Sequence, residues 1–142
     1  HYSFGRPVLA PAAGKVVLVR ADMPDQAPGQ PLNAEQLGDD PRRMAGNVVV
    51  IGHGYGEFSY LAHLQAGSVQ VSQGQMVKKG QPVAAVGNSG QSPGPHLHYH
   101  LQDGPHLFVD RGLPMVWSDF LAVGDRVKLA TIPSRMIVSP RG

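Results

Sequence analysis

Turn signals divide this chain into short segments, and this limits the folds that it can adopt. Gly- and Pro-rich turns recur about every 8–12 residues, and the chain contains 18 Gly and 13 Pro. The segments between them are rich in Val, Ile and Leu or alternate between apolar and polar residues, as strands do. We expect a strand, a turn and a second strand within 7–19, and further strands at 47–54, 58–64, 69–71, 76–87 and 96–101. This pattern predicts an all-β sandwich or barrel.

The segment from about residue 20 to residue 46 interrupts this pattern. It is rich in Asp, Pro and Gly and has no sustained apolar period. A stretch of this length without regular structure is unusual in a compact domain and is often functional. Its Asp residues lack the spacing around a central Gly that a calcium loop requires. We therefore predict one long functional loop and no calcium site.

Length and composition exclude several classes of protein. At 142 residues the chain fits one domain. It has no Cys, which excludes disulfides and leaves His and carboxylate side chains as metal ligands. No apolar run reaches the length of a membrane-spanning helix. The net charge of +2 is carried by scattered Lys and Arg residues, so nucleic-acid binding is not indicated.

Three histidines with a spacing of two follow a turn rich in Gly, Ser and Pro at 87–95. Because side chains on a strand alternate between its faces, His96, His98 and His100 should project from one face. Imidazoles on one face can share a metal ion, or divide metal binding and proton transfer between them. They can equally be ordinary half-buried histidines. This face is our candidate site.

Several blocks in the right order resemble the M23 metallopeptidases of the lysostaphin and LytM type. They are residues 5–14, 46–54, 62–64, 74–81, 86–90 and 94–98. The resemblance implies an antiparallel β-sandwich, a barrel-sandwich hybrid of the LytM type, with the long loop at about 20–46. It also implies that residues 1–142 form a single peptidase domain, with C-terminal strands at 105–142 packed on the core. In that tail Trp117 and Phe120 are expected as core residues.

The same resemblance assigns roles to individual histidines. His98, the second His of the H-L-H triplet, matches a ligand of one zinc ion. His96, the first His of that triplet, and His63 of the A-H-L triplet match catalytic residues that bind or polarise the water and the scissile carbonyl. His100 stands where the family usually has Glu or Gln. It could orient His98 or contact the substrate from outside the metal's own ligands, or it could face the solvent.

The two other zinc ligands of the family, a His and an Asp, fall before residue 1. We therefore expect either that an N-terminal metal-ligand segment precedes this sequence or that the chain is a member without metal. His1 is a makeshift nitrogen donor near the Asp position. A catalytic zinc needs three protein ligands and one open position, so His98 alone would hold it poorly.

The resemblance predicts a zinc-dependent endopeptidase that hydrolyses peptide bonds of peptidoglycan in the bacterial cell envelope, either periplasmic or secreted. The sequence itself shows no signal peptide. The alternative is a catalytically inactive LytM-like scaffold that binds cell-wall peptides or activates an amidase partner. A more remote alternative comes from residues 71–83, which resemble lipoyl and biotinyl carrier domains. The Lys-bearing hairpin tip of those domains is absent from these residues.

Overall fold

The computed structural model describes residues 3–115 and the backbone of the strands at 117–122, 125–130 and 138–139. The chain forms two compact units, His1–Gly112 and Leu113–Gly142. The structure is almost entirely β, with antiparallel sheets, so the predicted fold class is confirmed. No helix in the described part of the chain is long and apolar enough to cross a membrane.

Most of the first unit's strands belong to a single twisted sheet. In chain order the strands are β1 (Pro7–Leu9), β2 (Gly14–Arg20), β3 (Asn47–Gly54), β4 (Glu57–Leu64), β5 (Met76–Val77), β6 (Pro82–Ala85), β7 (His98–Gln102) and β8 (Gly112–Leu113). The large sheet has the order β5-β2-β3-β4-β7-β8, and β1 pairs with β6 in a small second sheet. The strands β9 (Trp117–Ala122), β10 (Asp125–Ala130) and β11 (Val138–Ser139) form a sheet of order β10-β9-β11.

The central strand β3 is buried on both faces, and its alternating side chains define two cores. Val49 and Ile51 pack in one cluster with Leu61 of β4 and with Val8 and Val83 of the small sheet. The second cluster contains Val48 and Val50 together with Ala45, Tyr60 and Ala62. Strands covered on both faces read as continuous apolar runs, which explains the sequence of β3. The candidate site lies on the face of the second cluster.

The long loop contains two short helical elements. The helix α1 (Ala34–Leu37) begins with a capping box between Asn33 and Gln36. A 3₁₀ helix follows at Pro41–Ala45, and the Asp40 side chain caps it. Each is about one turn long, which is too short to give an apolar period in the sequence.

Three predicted strand assignments differ from the structure. Residues 69–71 are not a strand, although the Gln70 N–H donates to the carbonyl of Val83. The segment 76–87 divides into β5 and β6 around the turn at Gly80. The last strand of the site begins at His98, so His96 precedes it.

The side chains of Trp117 and Phe120 lie outside the described residues. The packing of the C-terminal strands on the core stays a prediction.

Candidate active site

His98 and His100 lie on β7, the strand that pairs with β4. Ala62 faces His98 and Tyr60 faces His100 across this pair, so both imidazoles project from the face of the second cluster. The rings of Tyr60 and His100 stack with their centroids 5.1 Å apart. Burial raises the pKa of Tyr60 to about 12, so its phenol is neutral at physiological pH. Tyr60 therefore packs against His100 as a neutral phenol.

A β-bulge brings His63 to the same face. Strict alternation along β4 would place His63 on the face opposite Ala62. The register between β3 and β4 shifts at this point, and His63 adopts a left-handed backbone with φ of 57°. A bulge of this kind re-aims a side chain, and left-handed backbone at a non-Gly residue is often found at functional sites. The ring of His63 consequently lies 4.8 Å from that of His96 and 5.9 Å from that of His98, between centroids.

The turn before β7 fixes the tautomers of His63 and His96. The Nδ1 of His63 lies 2.8 Å from the carbonyl oxygen of Ser89, and the Nδ1 of His96 lies 2.8 Å from that of Gly94. A carbonyl only accepts hydrogen bonds, so each Nδ1 carries the proton. The Nε2 of each neutral ring therefore keeps its lone pair.

A chain of hydrogen bonds along β7 fixes the tautomer of His98 in the same way. The Nε2 of Gln102 donates to the carbonyl of Gly104, so its Oε1 accepts from the Nε2 of His100, 2.6 Å away. The Nδ1 of His100 then accepts from the Nε2 of His98 at 2.9 Å. This arrangement leaves the lone pair of His98 on Nδ1.

Burial favours the neutral form of His63 and of His98. Burial lowers the pKa of His63, and the nearby His96 lowers it further, against the opposing hydrogen bond to Ser89. Burial and the three neighbouring imidazoles lower the pKa of His98 to about 4. His98 is exposed to solvent, and water screens part of this effect. Neutral imidazole is the form that binds a metal or accepts a proton.

The described residues do not complete a metal site by themselves. Among them, no group of three or more His or carboxylate side chains is arranged to hold an ion. A catalytic zinc requires three protein ligands. The described imidazoles alone therefore do not make up a catalytic zinc site.

Two residues of this arrangement had no role in the sequence analysis. Ser89 supplies the carbonyl that orients His63, and its hydroxyl donates to the carbonyl of Leu64 at 2.7 Å. Gln102 is 2% exposed and anchors the chain of bonds through His100. Gln102 could have been found from the sequence, because it continues the period of two beyond His100. Ser89 could not, because its role depends on a main-chain oxygen.

The imidazole cluster on one face of the paired strands β4 and β7 is the candidate site, and comparison with known proteins gives the family of the chain. The model of peptidase family M23 matches residues 1–109, so the chain belongs to this family. The resemblance found in the sequence is confirmed.

The curated relatives include peptidases and an activator. The peptidoglycan DD-endopeptidase ShyA of Vibrio cholerae is 46% identical over 57 residues, which are 40% of this chain and 13% of that protein. An uncharacterized metalloprotease of Haemophilus influenzae is 39% identical over 99 residues, 70% of this chain and 16% of that protein. The murein hydrolase activator EnvC of Escherichia coli is 42% identical over 57 residues, which are 40% of this chain and 13% of that protein. The chain spans less than a fifth of the length of these relatives.

Solved structures support the same family. A zinc-containing peptidase from Vibrio cholerae matches with 32% identity and a TM-score of 0.51, over 69% of this chain and 24% of that one. The catalytic domain of the M23 protein EnpA from Enterococcus faecalis matches with 27% identity and a TM-score of 0.51, over 72% and 62%. The catalytic domain of lysostaphin from Staphylococcus simulans shares the fold, with 23% identity and a TM-score of 0.52 over 77% and 68%.

Proposed function

We propose that this chain carries the catalytic part of a zinc-dependent endopeptidase that hydrolyses peptide bonds of peptidoglycan. The observation that carries the proposal is the convergence of His63, His96 and His98 on one face, with a lone pair left on each neutral ring. The names of ShyA and of the zinc-containing Vibrio peptidase support the substrate and the metal. A location in the bacterial cell envelope follows from the same substrate.

Each histidine takes a distinct role in this proposal. His98 contributes its Nδ1 to zinc, and His100 positions His98 through the bond to its Nε2. The Nε2 atoms of His63 and His96 accept a proton from the attacking water or, when protonated, donate to the scissile carbonyl oxygen. When bound, zinc supplies a Lewis acid that activates water and polarises the carbonyl. The remaining ligands would come from a His and an Asp upstream of residue 1.

The test measures zinc content and cleavage together. In the full-length protein we expect tightly bound zinc and release of cross-linked peptides from purified peptidoglycan, followed by mass spectrometry of the products. His98→Ala should lose zinc, whereas His63→Asn and His96→Asn should keep zinc and lose activity about 100-fold or more, as expected for a general acid–base group.

The matched control is His53→Asn, because the His53 ring bonds to the carbonyl of Ala13 and the hydroxyl of Ser59 and is not part of the imidazole cluster. It should leave both readouts unchanged. A full-length protein that cleaves peptidoglycan equally well after His98→Ala, or after removal of zinc by a chelator, would contradict the proposal.

A second candidate function is a non-enzymatic activator of an amidase. The similarity to EnvC, whose name describes a murein hydrolase activator, favours it. In that case the full-length protein would bind no zinc, would not cleave peptidoglycan, and would raise the rate of a purified cell-wall amidase. The zinc and cleavage measurements above separate the two functions.

A further inference from the structure

A small cavity of about 140 Å³ lies beside the imidazole cluster. His63 and His98 share in its lining, and its surface is mostly apolar. Its apolar side chains come from the 3₁₀ helix, from β4 and from the loop after β7. They include Met44, Ala45, Ala62, Leu107 and Phe108. The described residues that line the cavity include no Asp, Glu, Lys or Arg.

The loop that carries Leu107 and Phe108 is held by hydrogen bonds at its base and within it. At its base, the N–H and Nε of Arg111 donate to the Asp103 carboxylate at 2.8 and 3.0 Å. Within the loop, the Asp110 N–H donates to the His106 carbonyl at 3.1 Å, and the two side chains are 3.3 Å apart. These bonds fix the loop's shape, so the cavity is preformed on this side.

The opposite side of the cavity is tied to the turn before β7. The N–H of Gln91 donates to the carbonyl of Met44 at 2.8 Å. The 3₁₀ helix that presents Met44 and Ala45 is thereby attached to the same turn that orients His63 through Ser89. The same turn therefore fixes the position of the cavity relative to the imidazole cluster.

Leu107 and Phe108 contact their surroundings in different ways. Leu107 packs against the second core cluster, which explains why an apolar residue is found there. Phe108 is 65% exposed and has a left-handed backbone with φ of 65°. Such a conformation is strained for an aromatic residue. The Phe108 ring is held in this conformation beside the imidazole cluster and remains largely exposed. It is therefore available to contact a ligand.

We propose that this cavity is the subsite for one apolar side chain of the substrate peptide, adjacent to the cleaved bond. Met44 and Phe108 are its specificity-determining residues. The inference rests on the proposed function and names the class of residue that the site accepts.

The size and charge of the cavity define the side chain that fits. An apolar cavity of ~150 Å³ accommodates a benzene molecule, so this one admits side chains up to about the size of Leu or a phenyl ring. Gln91, Tyr60 and the two histidines are the polar members of a lining that is mostly apolar. A charged side chain finds no charged partner there, and an amide loses hydration that the apolar surface does not replace, which is costly. Small apolar side chains are therefore selected over polar ones of equal volume.

The first test measures binding and does not depend on cleavage. In the full-length protein with methyl-labelled Met, N-acetyl-leucine methylamide is titrated and the Met44 methyl signal is followed by NMR. We expect a saturable shift of Met44 with the leucine amide and none with the isosteric N-acetyl-asparagine methylamide. Met76, which is 68% exposed and lies outside the cavity, is the internal control and should not shift.

The matched variants are Phe108→Ala and Val109→Ala. Val109 is 77% exposed, follows Phe108 directly and does not line the cavity. Phe108→Ala should weaken binding of the leucine amide about fivefold or more, as partial loss of an apolar contact implies, and Val109→Ala should not change it. Equal shifts of Met44 and Met76, equal binding of both amides, or equal effects of the two variants would overturn the inference.

The second test uses cleavage by the active protein. Peptide substrates differ only in one residue beside the cleaved bond, Leu or Asn. We expect a kcat/KM ratio of about 10–200 in favour of Leu, the range of one apolar contact or more, and a smaller ratio in Met44→Ala than in the control Met76→Ala. A ratio near one with normal cleavage overturns the subsite and leaves the proposed function standing. If the protein cleaves neither these peptides nor purified peptidoglycan but the Met44 shift is found, the proposed function fails and the cavity remains a binding site for small apolar side chains.

Discussion

The backbone of His63 makes the candidate site possible. Its left-handed φ and the register shift beside it turn the ring toward His96 and His98, where the alternation of β4 would direct it into the core. His is one of the non-Gly residues that tolerate this conformation better than most. The carbonyl of Ser89 then fixes its tautomer. Position, direction and protonation state of one side chain thus depend on three separate interactions.

The lowered pKa of His63 has a consequence for stability. The unfolded chain binds a proton near the ordinary His pKa of 6.5, whereas the folded chain resists it until a lower pH. Below pH 6.5 the unfolded state therefore binds more protons, and the free energy of unfolding falls as the pH is lowered. His98 contributes with the same sign.

We expect His63→Asn to reduce this pH dependence. Asn also tolerates left-handed backbone, so the bulge is kept while the titrating ring is removed. In metal-free protein, urea unfolding between about pH 7 and 5 should show a shallower loss of stability in the variant, with a difference on the order of 1 kcal/mol. An equal slope in both proteins would show that His63 is not held neutral by the fold.

At the scale of elements, β3, β4 and the turn before β7 are joined at a single buried residue. The side chain of Asn47 accepts from the Met23 N–H at 2.9 Å and donates to the carbonyls of Met23 and Leu64 at 2.8 and 3.2 Å. Its own N–H donates to the Ser89 hydroxyl at 2.9 Å. Close backbone approach requires Gly at 46 and 90, since a Cβ at Gly46 would lie 2.4 Å from Ser89. The segments 46–47 and 89–90, which are far apart in the chain, are therefore bonded to each other beneath the candidate site.

Asn47→Ala should destabilise the protein strongly, because it removes the partners of the buried N–H and carbonyl of Met23 and one of the two hydrogen bonds to the Leu64 carbonyl. We expect a loss of about 2–4 kcal/mol in the free energy of unfolding, measured with urea. Asn33→Ala, which removes the exposed cap of α1, is the control and should cost about 1 kcal/mol. Equal losses in the two variants would mean that the buried bonds of Asn47 add nothing beyond those of a surface cap.

At the scale of the whole molecule, the large sheet separates structural and functional faces. One face packs against the small sheet of β1 and β6 and forms the larger apolar cluster. The other carries the second cluster, the imidazoles and the cavity. Both clusters consist of residues from the unit His1–Gly112.

We therefore expect that a protein truncated after Gly112 keeps a folded first unit that unfolds cooperatively. Its thermal unfolding, followed by circular dichroism, should remain a single sharp transition, because the described core is retained. Loss of this transition would instead indicate that the C-terminal strands pack on this core, as the sequence suggests. Intact protein is the reference at the same concentration.

Much of the site could be predicted from the sequence, for reasons that differ between residues. His98 and His100 follow from a period of two on one strand, which is a local property. His63 and His96 were identified by resemblance, since neither the bulge of β4 nor the loop position of His96 has a local signature. The strand at 69–71 was wrong because Val69 and Val71 pack into the core from irregular backbone.

The sequence by itself determined the all-β class, the family and the identity of the histidines, because turn residues, alternation and short motifs are local. Only the tertiary structure decided which nitrogen of each ring keeps its lone pair, since this depends on main-chain carbonyls of Ser89 and Gly94 and on the buried Gln102. The existence of the cavity likewise depends on the tertiary structure. Met44 and Phe108 lie far apart in the chain and meet only because the 3₁₀ helix and the loop after β7 are each bonded in place beside the same sheet face.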